Sequence, residues 1–109
     1  MSEITKFNQS LIIKKIDSET INIQITSNPM LMSIVGQFDQ NLKELEKLTG
    51  TDIFFRGNSI TCKGKKANLK DFSDAIKFLI EKYLLTNLIE KSDIMLSVKK
   101  NMKPEESNV

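Results

Sequence analysis

The sequence predicts an α+β fold in which one antiparallel sheet is covered on one face by three helices. Residues 19–26 alternate strictly between apolar and polar side chains, which is typical of a half-buried strand. Residues 51–55 and 59–63 are two further strand-like segments around the tight-turn sequence Arg56-Gly57-Asn58, which predicts a β-hairpin. Segments with helical apolar spacing lie between and after these strands, so the predicted order is strand, helix, helix, strand, strand, helix.

The first strand of this order presents three isoleucines on one face, Ile21, Ile23 and Ile25. The side chains between them are polar, so we expect that face alone to be buried. Residues 10–16, SLIIKKI, are apolar enough to form another strand. A turn at Asp17-Ser18 would pair it with the first one, as a candidate fourth strand at the edge of the sheet.

Two short helices are predicted between residues 28 and 50. Asn28-Pro29 opens the first, with Asn28 as the N-cap and Pro29 at the first helical position, and Gly36 ends it. Asp39 is the expected N-cap of the second helix, which Gly50 ends. The side chains of this second helix that are expected to face the core are Leu42, Leu45 and Leu48.

A long helix is predicted over residues 66–89, and its expected core side chains are Leu69, Phe72, Ile76, Leu79, Ile80, Tyr83 and Leu88. Phe78, Leu85 and Ile89 fall outside that stripe. They indicate either a contact surface for a second domain or subunit, or a wider face of the core.

The organisation of the chain follows from these elements. Residues 1–18 are an N-terminal extension that holds the candidate edge strand, and residues 19–90 are the main domain. Residues 91–109 comprise a short helix at about 92–99 and a polar tail, residues 100–109, which we expect to be disordered.

Composition excludes several classes of function. The chain has 109 residues, no histidine and a single cysteine, which excludes zinc sites of the usual Cys/His kind and histidine-based catalysis. Cys62 shares a face with Ile60 and is expected to pack in the core. No two carboxylates have the placement that acid–base chemistry requires, so we expect no enzyme, no cofactor and no metal.

Charge and hydropathy place further limits on the function. The net charge of +2 is lower than is usual for a domain that binds nucleic acid through its phosphates. No apolar run is long enough to span a membrane, and residues 1–10 do not have the pattern of a secretory signal. We therefore expect a cytoplasmic protein.

The turn Gly36-Gln37-Phe38-Asp39, between the first two helices, resembles the Gly-x-x-Gly turn of KH domains in their type I arrangement. Its first glycine matches, and the second position is Asp39. The longer stretch GQFDQNLKELEKLTGTDIFFRGNSITCKG, residues 36–64, more closely resembles the N-terminal, KH-like domain of PhoH-like proteins. The Gly-x-x-Asp-x-Asn-Leu helix start, the glycine before the strand and the Arg-Gly-Asn turn follow one another in the same order, and the resemblance covers residues 19–90.

This resemblance implies a module that binds single-stranded RNA, as KH domains do. The residues that it assigns to nucleic-acid binding are Gly36, Gln37, Phe38, Asp39, Gln40, Asn41, Lys43 and Arg56. PhoH-like proteins continue into a P-loop ATPase domain, which the resemblance implies as a partner. This chain contains no Gly-x-x-x-x-Gly-Lys-Ser/Thr sequence and is not expected to hydrolyse ATP. The alternative is a protein-interaction or oligomerisation module that has the same fold, associates through its long helix and has lost nucleic-acid binding.

Two interpretations of the turn stay open at this point. The start of the second helix offers backbone N–H groups to a phosphate, but an Asp39 N-cap would take those donors itself and repel the phosphate. In that case Gly36 and Asp39 are only helix caps. Phe38 either stacks on a base or packs against the following helix. Arg56 either contacts the ligand or is a solvated turn residue.

Overall fold

The computed structural model describes residues 11–99, and the fold is built on a four-stranded antiparallel sheet. Its strands are β1 (Leu11–Asp17), β2 (Thr20–Ile25), β3 (Asp52–Arg56) and β4 (Ser59–Lys63), and they lie in the order β1-β2-β4-β3. The helices are α1 (Asn28–Val35), α2 (Gln40–Thr49), α3 (Lys66–Thr86) and α4 (Lys91–Lys99), with a 3-10 turn at Gln37–Asp39 between α1 and α2. The predicted α+β class and element order are confirmed, and β1 is the additional edge strand.

The register of the strands separates an apolar face from a polar one. Ile23 of β2 is paired with Ile13 of β1 on one side and with Ile60 of β4 on the other. Directly paired residues lie on the same face of an antiparallel sheet, so these isoleucines form one apolar row. On the opposite face Asn22 Nδ2 donates a hydrogen bond to Thr61 Oγ1 at 3.0 Å. The alternation of residues 19–26 therefore predicted the buried face correctly.

The core lies between this apolar face and the helices. Its helical side chains come from α1, α2, α3 and α4, and the largest of those that are fully buried are Phe72, Leu31, Ile34, Leu45, Ile76, Leu79, Ile80 and Ile94. Leu42 is also buried, and Leu48 is partly buried against the core. The helical spacing of these leucines predicted that they face the core. Burial of each such side chain contributes about 1.5–3 kcal/mol relative to leaving it exposed.

The start of α1 differs from the prediction by one residue. Ser27, and not Asn28, is the N-cap: its backbone is extended and its Oγ accepts a hydrogen bond from the N–H of Met30 at 3.4 Å. Asn28 is the first helical residue, and Pro29 lies in the first turn. The N–H groups of a first turn have no partner within the helix, so the N–H that proline lacks costs no helical hydrogen bond. The earlier start also lets the Ser27 carbonyl accept from Leu31 N at 2.9 Å.

The end of α3 also differs from the prediction. The helix stops at Thr86, because Asn87 takes a left-handed conformation and its N–H bonds to the Tyr83 carbonyl at 2.7 Å. Leu88 therefore lies beyond the helix and is exposed, so its assignment to the core was wrong. Phe78 and Ile89 pack partly against the core, and among the three residues outside the stripe only Leu85 projects into solvent, at 79% exposure.

The predicted C-terminal helix is confirmed as α4, which is fixed against α3 through one carboxylate. Both oxygens of Asp93 lie 2.9 Å from Lys82 Nζ, and Oδ2 also accepts the N–H of Glu90 at 2.8 Å. Burial opposes the ionisation of Asp93, but the bonds from Glu90 and Lys82 together hold the pKa of that carboxyl below its ordinary value.

No helix of the described part of the chain is long and apolar enough to cross a membrane. The tail predicted at residues 100–109 and most of the N-terminal extension lie outside the described residues.

Candidate nucleic-acid interface

The predicted turn is a compact link between two helices. Gly36 ends α1 by donating its N–H to the Met32 carbonyl at 2.9 Å, and its own carbonyl accepts from Asp39 N at 3.3 Å. Its backbone angles, φ 81° and ψ 170°, belong to a region that is essentially restricted to glycine. The assignment of Gly36 as the residue that ends the first helix is confirmed.

Asn41 lies directly against this glycine. A Cβ atom added at Gly36 would come within 2.7 Å of Asn41 Cγ and Nδ2. Asn41 Nδ2 also donates to the Ser33 carbonyl at 3.3 Å, which joins the first turn of α2 to the last turn of α1. Asn41, assigned from the sequence to ligand binding, therefore has a structural bond that holds the turn in shape.

Asp39 stands at the N-cap position of α2 but does not cap the helix. Its backbone is left-handed, with φ 59°, and its side chain makes no capping hydrogen bond. A capping side chain reaches the N–H groups from an extended backbone, which Asp39 does not have. The expectation that its carboxylate takes the donors of α2 was wrong.

Phe38 is also left-handed, with φ 54°, so two consecutive residues other than glycine adopt this conformation. Each costs about 1–2 kcal/mol relative to the right-handed form, and such strain concentrates at functional sites. The Phe38 side chain is 88% exposed. The interpretation in which it packs against the following helix was therefore wrong, and the turn presents its ring to solvent.

The remaining predicted residues fall into two places. Gln37, Gln40 and Lys43 are exposed at the turn and on the first turn of α2. Arg56 lies on a different element: it is the last residue of β3, is exposed, and its carbonyl accepts from Ser59 Oγ at 3.4 Å. Seven of the eight predicted site residues thus lie in the continuous segment 36–43, and Arg56 lies at the end of β3.

A contact that the sequence did not predict joins α2 to the edge of the sheet. Glu46 Oε2 accepts the backbone N–H of Ile53 at 2.7 Å. This bond occupies an N–H on β3, which within residues 11–99 pairs only with β4 and is an edge strand. It also fixes a carboxylate between α2 and β3. In the sequence Glu46 is one of several charged residues on the solvent-facing side of α2. No local pattern therefore identifies it as the residue that bonds to β3.

Elsewhere the described residues offer little reactive chemistry. Cys62 is fully buried, and burial raises the pKa of its thiol to about 11, so the expectation of core packing is confirmed. Within residues 11–99 no three His, Cys, Asp or Glu residues are grouped as metal ligands would be.

Comparison with known proteins adds no family to this description. No family model matches the chain, and a search of curated proteins finds no match. The similarity to KH-like domains consequently rests on the residues quoted above.

Proposed function

We propose that the chain is a KH-like module that binds single-stranded RNA, with the turn Gly36–Asp39 placed against the phosphate backbone. One observation carries the proposal: Asp39 makes no side-chain capping hydrogen bond, so its carboxylate does not occupy the N–H groups at the start of α2, of which that of Gln40 donates to the Gln37 carbonyl. The N-terminal end of a helix carries a partial positive charge and N–H donors that bind phosphate. The order of strands and helices around the turn supports the same function.

Each residue of the turn then has a role. Gly36 and Asn41 set the path of the backbone, and Phe38 offers an exposed ring on which a base stacks. Lys43, exposed in the first turn of α2, contributes a positive charge. The Asp39 carboxylate opposes the phosphate, so this module binds RNA weakly. Its contacts with the phosphate backbone make the affinity fall as salt is added.

The test is fluorescence anisotropy with a short labelled single-stranded RNA over a series of KCl concentrations. We expect affinity to fall steeply with salt, and Phe38→Ala to weaken binding by about tenfold, since stacking of one base contributes about 1–3 kcal/mol. Phe54→Ala is the matched control, because Phe54 is an exposed phenylalanine on β3, outside the turn. Absence of binding at low salt, or loss of affinity in Phe54→Ala alone, would contradict the proposal.

The resemblance to PhoH-like proteins extends the proposal to a P-loop ATPase domain as the working partner of this module. The chain itself has no P-loop sequence, so we expect ATP turnover by the purified protein to stay at background. Turnover that follows the protein through further purification would contradict this part.

A second candidate function is an interaction or oligomerisation module, and the surface at the C-terminal end of α3 favours it. Leu84, Leu85 and Leu88 are all exposed there, around the residue that ends the helix. If this surface joins two copies, sedimentation velocity will show a dimer that dissociates in Leu85→Lys and is insensitive to salt. A monomer at all concentrations would contradict self-association.

A further inference from the structure

Strand β1 is an edge of the sheet, and its outer side has no strand partner within residues 11–99. On its inner side it pairs with β2, and of its seven residues only Leu11 is buried. An unpaired edge offers a row of backbone N–H and C=O groups to another strand. β1 therefore has the backbone groups that are needed to extend the sheet by one more strand.

The opposite edge of the sheet, β3, differs in this respect. There the carboxylate of Glu46 accepts the N–H of Ile53 at 2.7 Å. A strand that approached β3 would find this donor occupied and a fixed negative charge beside it. Of the two edges, β1 is therefore the better suited to pair with another chain.

The apolar face of the sheet continues out to β1 and is left uncovered there. Ile13 lies in the same cross-strand row as Ile23 and Ile60. Those two isoleucines are fully buried, whereas Ile13 is 38% exposed. Ile12, on the opposite face of the strand, is exposed as well. A further strand alongside β1 would cover apolar side chains on both faces of the sheet at once.

The charges of β1 restrict how a second copy of the strand can pair with it. In an antiparallel pair related by a two-fold axis, each residue faces a residue from the same face of the sheet. An axis through Lys14 or Lys15 would set a lysine directly against its own copy, which is unfavourable. An axis through Ile13 sets the two Ile13 side chains against each other, Lys14 against Ile12, and Lys15 against Leu11. This register opposes no like charges directly and pairs the whole segment 11–15, whereas an axis through Ile12 pairs only residues 11–13 of β1.

We infer that β1 is a self-association edge, which pairs antiparallel with β1 of a second copy and joins the two sheets into one. The occupant is a second copy because a two-fold contact must be self-complementary, and the register centred on Ile13 satisfies this requirement. The inference does not depend on RNA binding. It also concerns a different surface from the exposed leucines at the C-terminal end of α3.

The first experiment is sedimentation velocity over a range of protein concentrations, with variants that replace an exposed apolar side chain by lysine. Ile13→Lys should raise the dissociation constant of the dimer at least about tenfold, because it removes an apolar contact and opposes two cations. Phe54→Lys on β3 and Leu85→Lys on α3 make the same change at other exposed sites and should leave that constant unchanged. A protein that stays monomeric, or a dimer that is lost only in Phe54→Lys or Leu85→Lys, would overturn the inference.

The salt dependence of the dimer gives a second readout. In the inferred register the Lys14 side chains of the two copies are diagonal neighbours, whose Cα atoms lie about 7–8 Å apart. Added salt screens their repulsion, so dimerisation should strengthen as KCl is added, and Lys14→Gln should weaken this dependence. Lys77→Gln, at an exposed position of α3, is the matched control and should keep it. A dimer that weakens as salt is added would contradict the register.

Cysteine cross-linking tests the register directly and decides the matter if Ile13→Lys does not fold. Opposed Cβ atoms of paired strands are about 4.5–5.5 Å apart, close to the span of a disulfide, so mild oxidation of Ile13→Cys should give a covalent dimer. Ile12→Cys and Ile16→Cys change exposed isoleucines of the same strand that do not face their own copies, and they should stay monomeric on a non-reducing gel. The parent protein, whose Cys62 is buried, gives the background. No cross-link in Ile13→Cys, or a stronger one in either control, would overturn the inference.

Discussion

The carboxylate of Glu46 and the backbone N–H of Ile53 form a 2.7 Å hydrogen bond that joins helix α2 to the edge strand β3. The bond uses a charged acceptor and lies in a partly buried place, so it is of the stronger kind. It also removes one N–H from the row that an edge strand offers to other chains.

Glu46→Ala should lower the free energy of unfolding by about 1–3 kcal/mol, because it leaves the Ile53 N–H without its charged partner. Urea denaturation measures the change. Glu81→Ala, at an exposed position of α3, is the matched control and should change stability by less than about 0.5 kcal/mol. Equal values for the two variants would show that the bond does not stabilise the fold.

Two glycine variants separate backbone strain from steric contact. Gly57, in the β3–β4 turn, has φ 61° and nothing within 4 Å of an added Cβ, so Gly57→Ala should cost about 1–2 kcal/mol for the left-handed backbone alone. Gly36→Ala adds the contact with Asn41 and a backbone region almost closed to other residues, so it should cost at least about 1 kcal/mol more. Thermal and urea unfolding of both variants test the ranking. If Gly36→Ala lowers the free energy of unfolding by less than Gly57→Ala does, the contact with Asn41 does not exclude a Cβ atom at position 36.

Asp39→Gly distinguishes a strained turn residue from a helix cap. Since Asp39 is left-handed and makes no capping bond, glycine should raise stability by up to about 1 kcal/mol. A true N-cap would instead lose a few tenths of a kcal/mol on this change. A reproducible decrease in the urea midpoint at constant slope would contradict the structure of the turn.

Much of the fold could be predicted from local patterns, and the exceptions have identifiable causes. The alternation of Ile21, Ile23 and Ile25 fixes which face of β2 is buried, and the turn residues around Gly57 are those that a short hairpin needs. An aspartate at position 39 predicted a helix cap, because aspartate is a favoured N-cap residue. The identity of the residue does not determine whether its backbone is extended or left-handed. The Glu46–Ile53 bond depends on how a helix packs against a strand, which hydrophobic spacing does not encode.

Stability should depend on pH through Asp93. Its pKa is lowered in the folded protein from an ordinary value of 3.8, so its stabilising contribution is present above that value and is lost as the pH falls below it. Asp93→Asn should therefore lower stability at neutral pH and make the further loss of stability below about pH 4 shallower. Thermal unfolding measured from neutral pH down into the acid range gives both effects.

Asp74→Asn is the control for this pH effect. It removes the exposed Lys70–Asp74 pair of α3, which should change stability by less than about 1 kcal/mol. If Asp93→Asn and Asp74→Asn have the same pH profile, the partly buried Lys82–Asp93 pair does not hold α4 in place.

The measurement that tests the central claim most directly is the affinity of Asp39→Asn for single-stranded RNA at low salt. Asparagine keeps the size of the side chain, tolerates the left-handed backbone and removes the one charge that opposes a phosphate at the turn. Glu81→Gln removes an equal charge from an exposed position of α3. The account predicts that Asp39→Asn binds several-fold more tightly than the parent and that Glu81→Gln binds as the parent does. Equal affinities for all three proteins, each fully folded, would show that the turn does not contact the RNA backbone.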